Sequence, residues 1–460
     1  MLRRWAGRRE ALATAGIEAG ASPQPLRPGA PIVLPEPVAP DKPPTTASAE
    51  VAPNPSRLPF RINKKRIALV VFLMLFCAMA AAYSQKDKLT PKLADTSRDL
   101  IGDENTARVE GYYFRVSDKR DKTKYRFFGA KENPFLTNAV AVQFVAKTMP
   151  HVVVYVPGAN SHEGESVLTA DNLGPTPMVL PATKPLQDSL QPGEGVWTTA
   201  GLPHSTPSDA LMAKTFIRPD KSRPYALVGL LLMDSRRIKL NMVAGTVDPG
   251  PSVKGTGVLP ADKYANLLLA WNGGFKGAHG SYGMFADGKT YLPLRNGLGT
   301  VAVTKDGTIK IGEWGRDFVW EEGMLSVRQN VVPLVIDGEV SRRVTEGNDT
   351  WGYVGVNSSE FITWRSGLGI TKDGNLIYAA GNSLSAESLA QALWAAGAYS
   401  AMQLDINSPY VLMGTFDKNP DGSLKASKFM DTMADTPSRF LRTQDRDFFY
   451  ATLDESRYHN

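Results

Sequence analysis

The first strong apolar signal along the chain is IALVVFLMLFCAMAAAYS at residues 67–84, eighteen residues without a charge. At about 1.5 Å per residue a helix of that length reaches roughly 27 Å, close to a bilayer core of about 30 Å. It predicts one transmembrane helix. Residues 85–105 then read as a polar stalk. Between 108 and 157 the runs VEGYYFRV, KYRFF, AVAVQFVA and HVVVYVP have the length and β-branched or aromatic content of strands. They predict a small β-rich accessory region. Residues 158–194 are rich in Gly, Pro, Ser and Thr and predict a linker, so 85–194 comprises stalk, accessory region and linker.

A denser region runs over 195–453. Asp-Gly pairs separate strand-like runs at Asp287-Gly288, Asp306-Gly307, Asp337-Gly338 and Asp373-Gly374. Asp-Gly accepts the positive φ of tight turns, so each pair predicts an antiparallel hairpin. The pairs lie 19, 31 and 36 residues apart, and such uneven spacing excludes a regular repeat array. One helix is predicted over Ser385–Ala396. Ser385 caps it, Gly397 ends it, and Leu389, Ala392, Leu393 and Ala396 form an i, i+3, i+4, i+7 stripe. SAMQLD follows as a buried strand ending at Asp405. The predicted fold class is α+β: a mixed, largely antiparallel sheet with a few helices, preceded by one transmembrane helix and a disordered tail.

Charge changes the picture of the N-terminus only. The formal net charge is +6, which first suggests a nucleic-acid binder. Residues 1–66, however, hold eleven Lys and Arg against five Asp and Glu, and the remainder holds 41 of each. A neutral body gives no electrostatic reason to hold phosphate backbones, so nucleic acid is excluded as a partner. Residues 1–60 carry twelve of the 33 prolines and predict a disordered cytoplasmic tail, 1–66, open to a partner that recognises Pro-rich segments. Arg57, Arg61, Lys64, Lys65 and Arg66 precede the apolar run with no acid from 51 to 66. The positive-inside rule then places the N-terminus in the cytoplasm and the main domain in the periplasm or outside the cell. A cleavable signal is the rival reading, and the sixty-residue leader argues against it.

The single cysteine, Cys77, permits no intrachain disulfide and no Cys-based zinc or iron–sulfur site. The five histidines are scattered, without HExxH. No metal site or cofactor is expected.

Three segments carry candidate chemistry. In LLLAWNGGFKGAHGSYG, an apolar strand runs into Asn272-Gly273-Gly274-Phe275. The glycines would let backbone approach a ligand and Asn272 could bond a sugar hydroxyl or phosphate oxygen, though an Asn-Gly turn is that pair's commonest use. His279 follows as an acid–base candidate or a structural histidine. In TWRSGLG, Arg365 offers a planar cationic fork, with Ser366 beside it, or else takes part in an ordinary salt bridge. In QLDINSPY, Asp405 ends a strand beside Asn407 and Ser408, suited to acid–base or nucleophilic glycoside chemistry or to capping a turn.

Taken in order, LLLAWNGGF, GMFADGK, VRQNVVPLVIDG, RSGLGITKDG and the helix leading to AMQLD resemble the phosphodiester glycosidase family, that of the uncovering enzyme. GEGVW at Gly193–Trp197 is similar to a lead-in of many bacterial members. The resemblance covers roughly residues 193–453. It implies a hydrolase acting on a sugar phosphodiester or related glycosidic linkage. Asp405 and Arg365 would be its catalytic residues. Asn272, Gly273, Gly274, Phe275, His279, Ser366, Asn407 and Ser408 would bind substrate. The family's Asp-Gly-Gly-Gly-Ser motif is matched only at Asp405, since Ile406, Asn407, Ser408 and Pro409 follow. That departure keeps open an alternative, a non-catalytic glycan-binding or envelope scaffold protein on the same fold.

Overall fold

The computed structural model describes residues 86–129, 133–135, 177–248, 253–346, 348–352, 362–408 and 410–456. The tail 1–66, the apolar run 67–84 and the runs AVAVQFVA and HVVVYVP lie outside the described residues. Among the described residues no helix is long and apolar enough to cross a membrane.

Strands dominate. In chain order they are β1 (Met212–Ile217), β2 (Val228–Met233), β3 (Ile238–Val243), β4 (Leu267–Asn272), β5 (Met284–Ala286) and β6 (Lys289–Leu292). Then come β7 (Gly299–Thr304), β8 (Ile309–Glu313), β9 (Met324–Gln329), β10 (Val335–Ile336) and β11 (Glu339–Val340). The last are β12 (Thr363–Thr371), β13 (Leu376–Leu384), β14 (Ala398–Ile406), β15 (Met413–Lys418), β16 (Leu424–Lys428) and β17 (Phe448–Leu453). They form a seven-stranded sheet, β1-β2-β13-β12-β14-β10-β11, and two five-stranded sheets, β16-β15-β4-β17-β3 and β6-β5-β9-β7-β8. Every pairing between these strands is antiparallel.

The four Asp-Gly pairs named above turn hairpins. At Asp287-Gly288 (φ 52° and 69°) and Asp337-Gly338 (φ 52° and 77°) both residues are left-handed, as a two-residue hairpin turn requires. At Gly307 and Gly374 only the glycine has positive φ. There the turn is longer, closed by Gly307 N–H to Thr304 C=O and Gly374 N–H to Thr371 C=O at 3.0 Å each.

The centre of the seven-stranded sheet is covered on both faces, which is why β2 (VGLLLM) and the first half of β13 (LIYAA) read as unbroken apolar runs. Period-two geometry sorts them. Leu231, Met233, Leu376, Tyr378 and Ala380 join the core shared with the other two sheets. Val228, Leu230, Leu232, Ile377 and Ala379 join a second core under the helix Ala386–Ala395. That helix, here α2 (the first, α1, is Lys86–Phe128), starts at a capping box between Ser385 and Ser388 and stops before Gly397, φ 92°. Its predicted stripe of Leu389, Ala392, Leu393 and Ala396 is buried.

Two sequence readings are corrected. VEGYYFRV and KYRFF are turns of α1, not strands. This helix is interrupted at Gly102, φ 80° and ψ 162°. Its buried stripe runs through Thr106, Gly111 and Phe114, with Glu110, Asp118, Asp121 and Tyr125 half-buried. Val109, Tyr112, Tyr113 and Val116 are exposed. Apart from Phe114, which joins the second core, small and polar groups therefore face the domain, and the other apolar residues of VEGYYFRV mark the outer side. The folded region also begins before residue 195. Met178 is buried, Trp197 Nε1 donates to Pro181 C=O at 2.7 Å, and Lys184 N–H donates to Ala395 C=O at 2.8 Å.

Candidate active site

Strands from two sheets end at one place. Asp405 N–H donates to Gly273 C=O at 2.9 Å, joining the end of β14 to the end of β4. Asp405 is 5 % exposed. Its Oδ1 accepts from Ile406 N–H at 2.9 Å, and its Oδ2 accepts from Arg446 Nη2 at 2.8 Å. Burial raises the Asp405 carboxyl to about 6, Arg446 opposing. Arg446 lies 4.1 Å over the Tyr410 ring, and its Nε is 4.0 Å from Asp248 Oδ2. Burial raises the Asp248 carboxyl as well. One guanidinium thus stands between two buried carboxylates. Burial alone would lower Arg446, but Asp405, Tyr410 and Asp248 outweigh it and hold its pKa above the ordinary value.

The Asn-Gly-Gly segment makes a close approach, to the protein's own carboxylate. Gly274 N–H donates to Asp447 Oδ2 at 3.1 Å, and a Cβ on Gly273 would stand 1.9 Å from that oxygen. Asp447 is held by Arg328, Nε to Oδ2 at 2.9 Å and Nη2 to Oδ1 at 3.2 Å, both side chains buried. Arg328 also donates to the carbonyls of Phe275 and Gln329 at 2.6 and 2.7 Å.

Asn272 is a strap between elements. Its Nδ2 donates to Ser366 Oγ at 2.9 Å, and its Oδ1 accepts from Tyr378 Oη at 3.2 Å and Leu412 N–H at 3.1 Å. Ser366 Oγ passes the chain on to Asp405 C=O at 2.8 Å. Asn272 and Ser366 therefore set the backbone beneath Asp405, and their polar atoms are spent within the fold.

Arg365 does not stand beside Asp405 as its counter-charge. It faces away from Ser366, its strand neighbour, and donates to Leu384 C=O at 3.1 Å, Trp351 C=O at 3.2 Å and Gln403 Oε1 at 2.7 Å. Arg365→Met is expected to lower stability by about 2–3 kcal/mol, since buried acceptors lose a charged donor. Thermal unfolding checks it; an unshifted melting temperature with a raised KM would restore Arg365 as an anion ligand.

Phe275 is buried, 6.0 Å centroid to centroid from Tyr282. His279 is half-exposed on the 3-10 turn Gly277–His279. Asn407 takes φ 74°, a conformation that glycine adopts at no cost and asparagine tolerates. Its Oδ1 accepts from Thr363 Oγ1 at 2.9 Å, and Ser408 follows it, half-buried. Helix α1 reaches this loop. Asn407 Nδ2 donates to Glu110 Oε2 at 3.2 Å, and Arg98, paired with Glu110 at 2.8 Å, donates to Tyr410 Oη at 2.8 Å.

Four charged residues here went unread in the sequence: Asp248, Arg328, Arg446 and Asp447. Arg446-Asp447 immediately before the apolar strand FFYATL was the available signal, two adjacent opposite charges at the start of a strand, as Asp405 stands near the end of one.

Residues 265–424 match the phosphodiester glycosidase family. The phosphodiester glycosidase match contains Asn272, Arg328, Arg365 and Asp405, whereas Asp248, Arg446 and Asp447 lie outside it. Solved structures similar to this chain include the following three. The zebrafish N-acetylglucosamine-1-phosphodiester alpha-N-acetylglucosaminidase catalytic domain, auto-inhibited by its pro-peptide, is 16% identical over 55% of this chain and 86% of its own, TM-score 0.35. A hypothetical protein from Synechocystis is 11% identical over 53% and 62%, TM-score 0.28. A putative exported protein from Burkholderia pseudomallei is 10% identical over 49% and 74%, TM-score 0.25. Among curated proteins none matches this chain.

Among the described residues no group of three or more His, Cys, Asp or Glu is placed to hold a metal ion.

Proposed function

We propose that this chain is a membrane-anchored, extracytoplasmic hydrolase that cleaves a sugar-phosphodiester or related glycosidic linkage, with Asp405 as its acid–base group. The observation that carries the reading is the buried Asp405 carboxylate held by Arg446 at a strand end, within the segment matching a glycosidase family. In the protonated form Asp405 would give its proton to the leaving oxygen as the glycosidic C–O bond breaks; water then completes the hydrolysis. The anchor is residues 67–84, with the basic flank at 57–66 on the cytoplasmic side.

The altered loop keeps much of what such a site needs. Asn407 holds the positive φ, and Ile406 still donates its N–H to Asp405. The test is hydrolysis of a panel of glycosyl phosphodiesters and glycosides by the full chain in detergent. Turnover of none of them would sink the reading. Glycan binding without turnover would support the alternative, a non-catalytic binding protein. The engagement of Asn407 and Tyr410 by Glu110 and Arg98 favours that alternative, because it closes the loop against helix α1.

A general acid with its pKa raised to about 6 has a definite pH signature. Its active, protonated form predominates below that value and is lost above it. kcat/KM is expected to fall about tenfold per pH unit on the alkaline side of pH 6. A profile flat from pH 5 to 8 would remove Asp405 from the acid role.

A further inference from the structure

The Asp405–Arg446 pair has a second property, which rests on the hydrolase reading and deepens it. Arg446 is partly exposed, with 19% of its side-chain surface accessible, whereas Asp405 and Asp248 on either side of it show 7% and 11%. The solvent-facing part of this ionic cluster is therefore its cation. Of the neighbouring cations, Arg328 is engaged by Asp447 and Arg439 by Asp435, while Lys276 acts with Arg446 on Asp248, and the Asp447 carboxylate faces Asp405. From helix α1, Glu110 and Arg98 are paired with each other. Arg446 is the one whose counter-charges are the two buried carboxylates that burial already disfavours as ions.

We propose that Arg446 is the subsite for a phosphate- or sulfate-ester anion, and that an anion bound there takes the place of Asp405 on the guanidinium, so that Asp405 takes up one proton from solvent. The physical reason is charge balance in a poorly solvated place. With Arg446 neutralised by the incoming anion, Asp405 would be an uncompensated buried carboxylate beside another negative group. Binding of the anion and of the proton are then reciprocally coupled. The substrate's own charge would load the acid that its cleavage consumes, which ties acid catalysis to anionic substrates.

Inorganic sulfate is the probe, since it does not titrate near neutrality. Calorimetry of sulfate binding to the full chain, in buffers of different ionisation enthalpy between pH 5 and 8, reads affinity and proton uptake together. The expected result is, above pH 6, an affinity rising up to about tenfold per pH unit as pH falls with uptake approaching one proton, and both effects fading below pH 6, where free Asp405 is already protonated. Asp405→Asn should keep sulfate binding and abolish the uptake. Arg446→Gln should weaken binding at least about tenfold, and Arg446→Lys, which keeps the charge, should recover part of it. Binding without proton uptake in the wild-type chain, or unchanged affinity in folded Arg446→Gln, overturns the proposal. Hydrolysis assays on the same proteins separate the two readings. Proton-linked binding without turnover supports the subsite and sinks the hydrolase; turnover without proton-linked binding sinks the subsite alone.

Discussion

Asp405→Asn is expected to lower kcat/KM for a cleavable sugar phosphodiester by about 10²–10⁴-fold, the range for removing a positioned general acid–base. The substitution is nearly isosteric. Its amide oxygen can still accept the Ile406 N–H that Oδ1 now accepts, and the residue's backbone link to Gly273 is untouched. What it removes is the transferable proton and the negative charge facing Arg446. Circular dichroism should therefore show a folded protein while steady-state kinetics show the loss. The alkaline limb above pH 6 should vanish with it, because no titrating group remains at that position. A folded Asp405→Asn protein retaining wild-type turnover would reject the assignment of Asp405, whatever substrate is used.

Gly273→Ala should be the most destabilising single-methyl change near the site. The new Cβ would lie 1.9 Å from Asp447 Oδ2 and 2.8 Å from Asp447 C=O. Neither can yield cheaply, since the carboxylate is clamped by Arg328 and by Gly274 N–H, and the carbonyl accepts Gly273's own N–H at 3.1 Å. Moving Asp447 would leave Arg328 buried without its counter-charge, a loss of about 3–5 kcal/mol. In a domain of this size that corresponds to a melting temperature lower by roughly 10 °C. Gly274→Ala is the control: the nearest atoms to its Cβ would be those of the Arg328 guanidinium, at 3.0 Å, and it should cost less. Equal melting temperatures for Gly273→Ala and wild type in a thermal scan would show that the Asp447 carboxylate is not held as described.

Local chemistry was legible wherever a short stretch settles its own geometry. The Asp-Gly pairs turn hairpins because their backbone accepts positive φ, wherever the strands later go. Ser385 and Gly397 bound a helix because they satisfy or end its hydrogen bonds within one turn. Asp405 could be picked out because a carboxylate at the end of an apolar run is conspicuous in one dimension. Arg365 misled for a related reason. A lone arginine in an apolar strand looks like a reserved charge, but its fork is used by the carbonyls of Leu384 and Trp351 and by Gln403, distant in the chain. VEGYYFRV misled because strand-like composition was read without knowing which side would be covered. The helix there buries Thr106, Gly111 and Phe114 and leaves its Val and Tyr outside.

By itself, then, the sequence determined the turns, helix α2, the antiparallel character of the body and the position of Asp405 at a strand end, since each follows from contacts within a few residues. Only the tertiary structure decided what stands around that carboxylate. Arg446 follows Asp405 by 41 residues and Asp248 precedes it by 157, and they meet because β3, β4 and β14 end where β17 begins. A charge's partner and its exclusion from water are properties of that meeting, and a linear pattern carries neither.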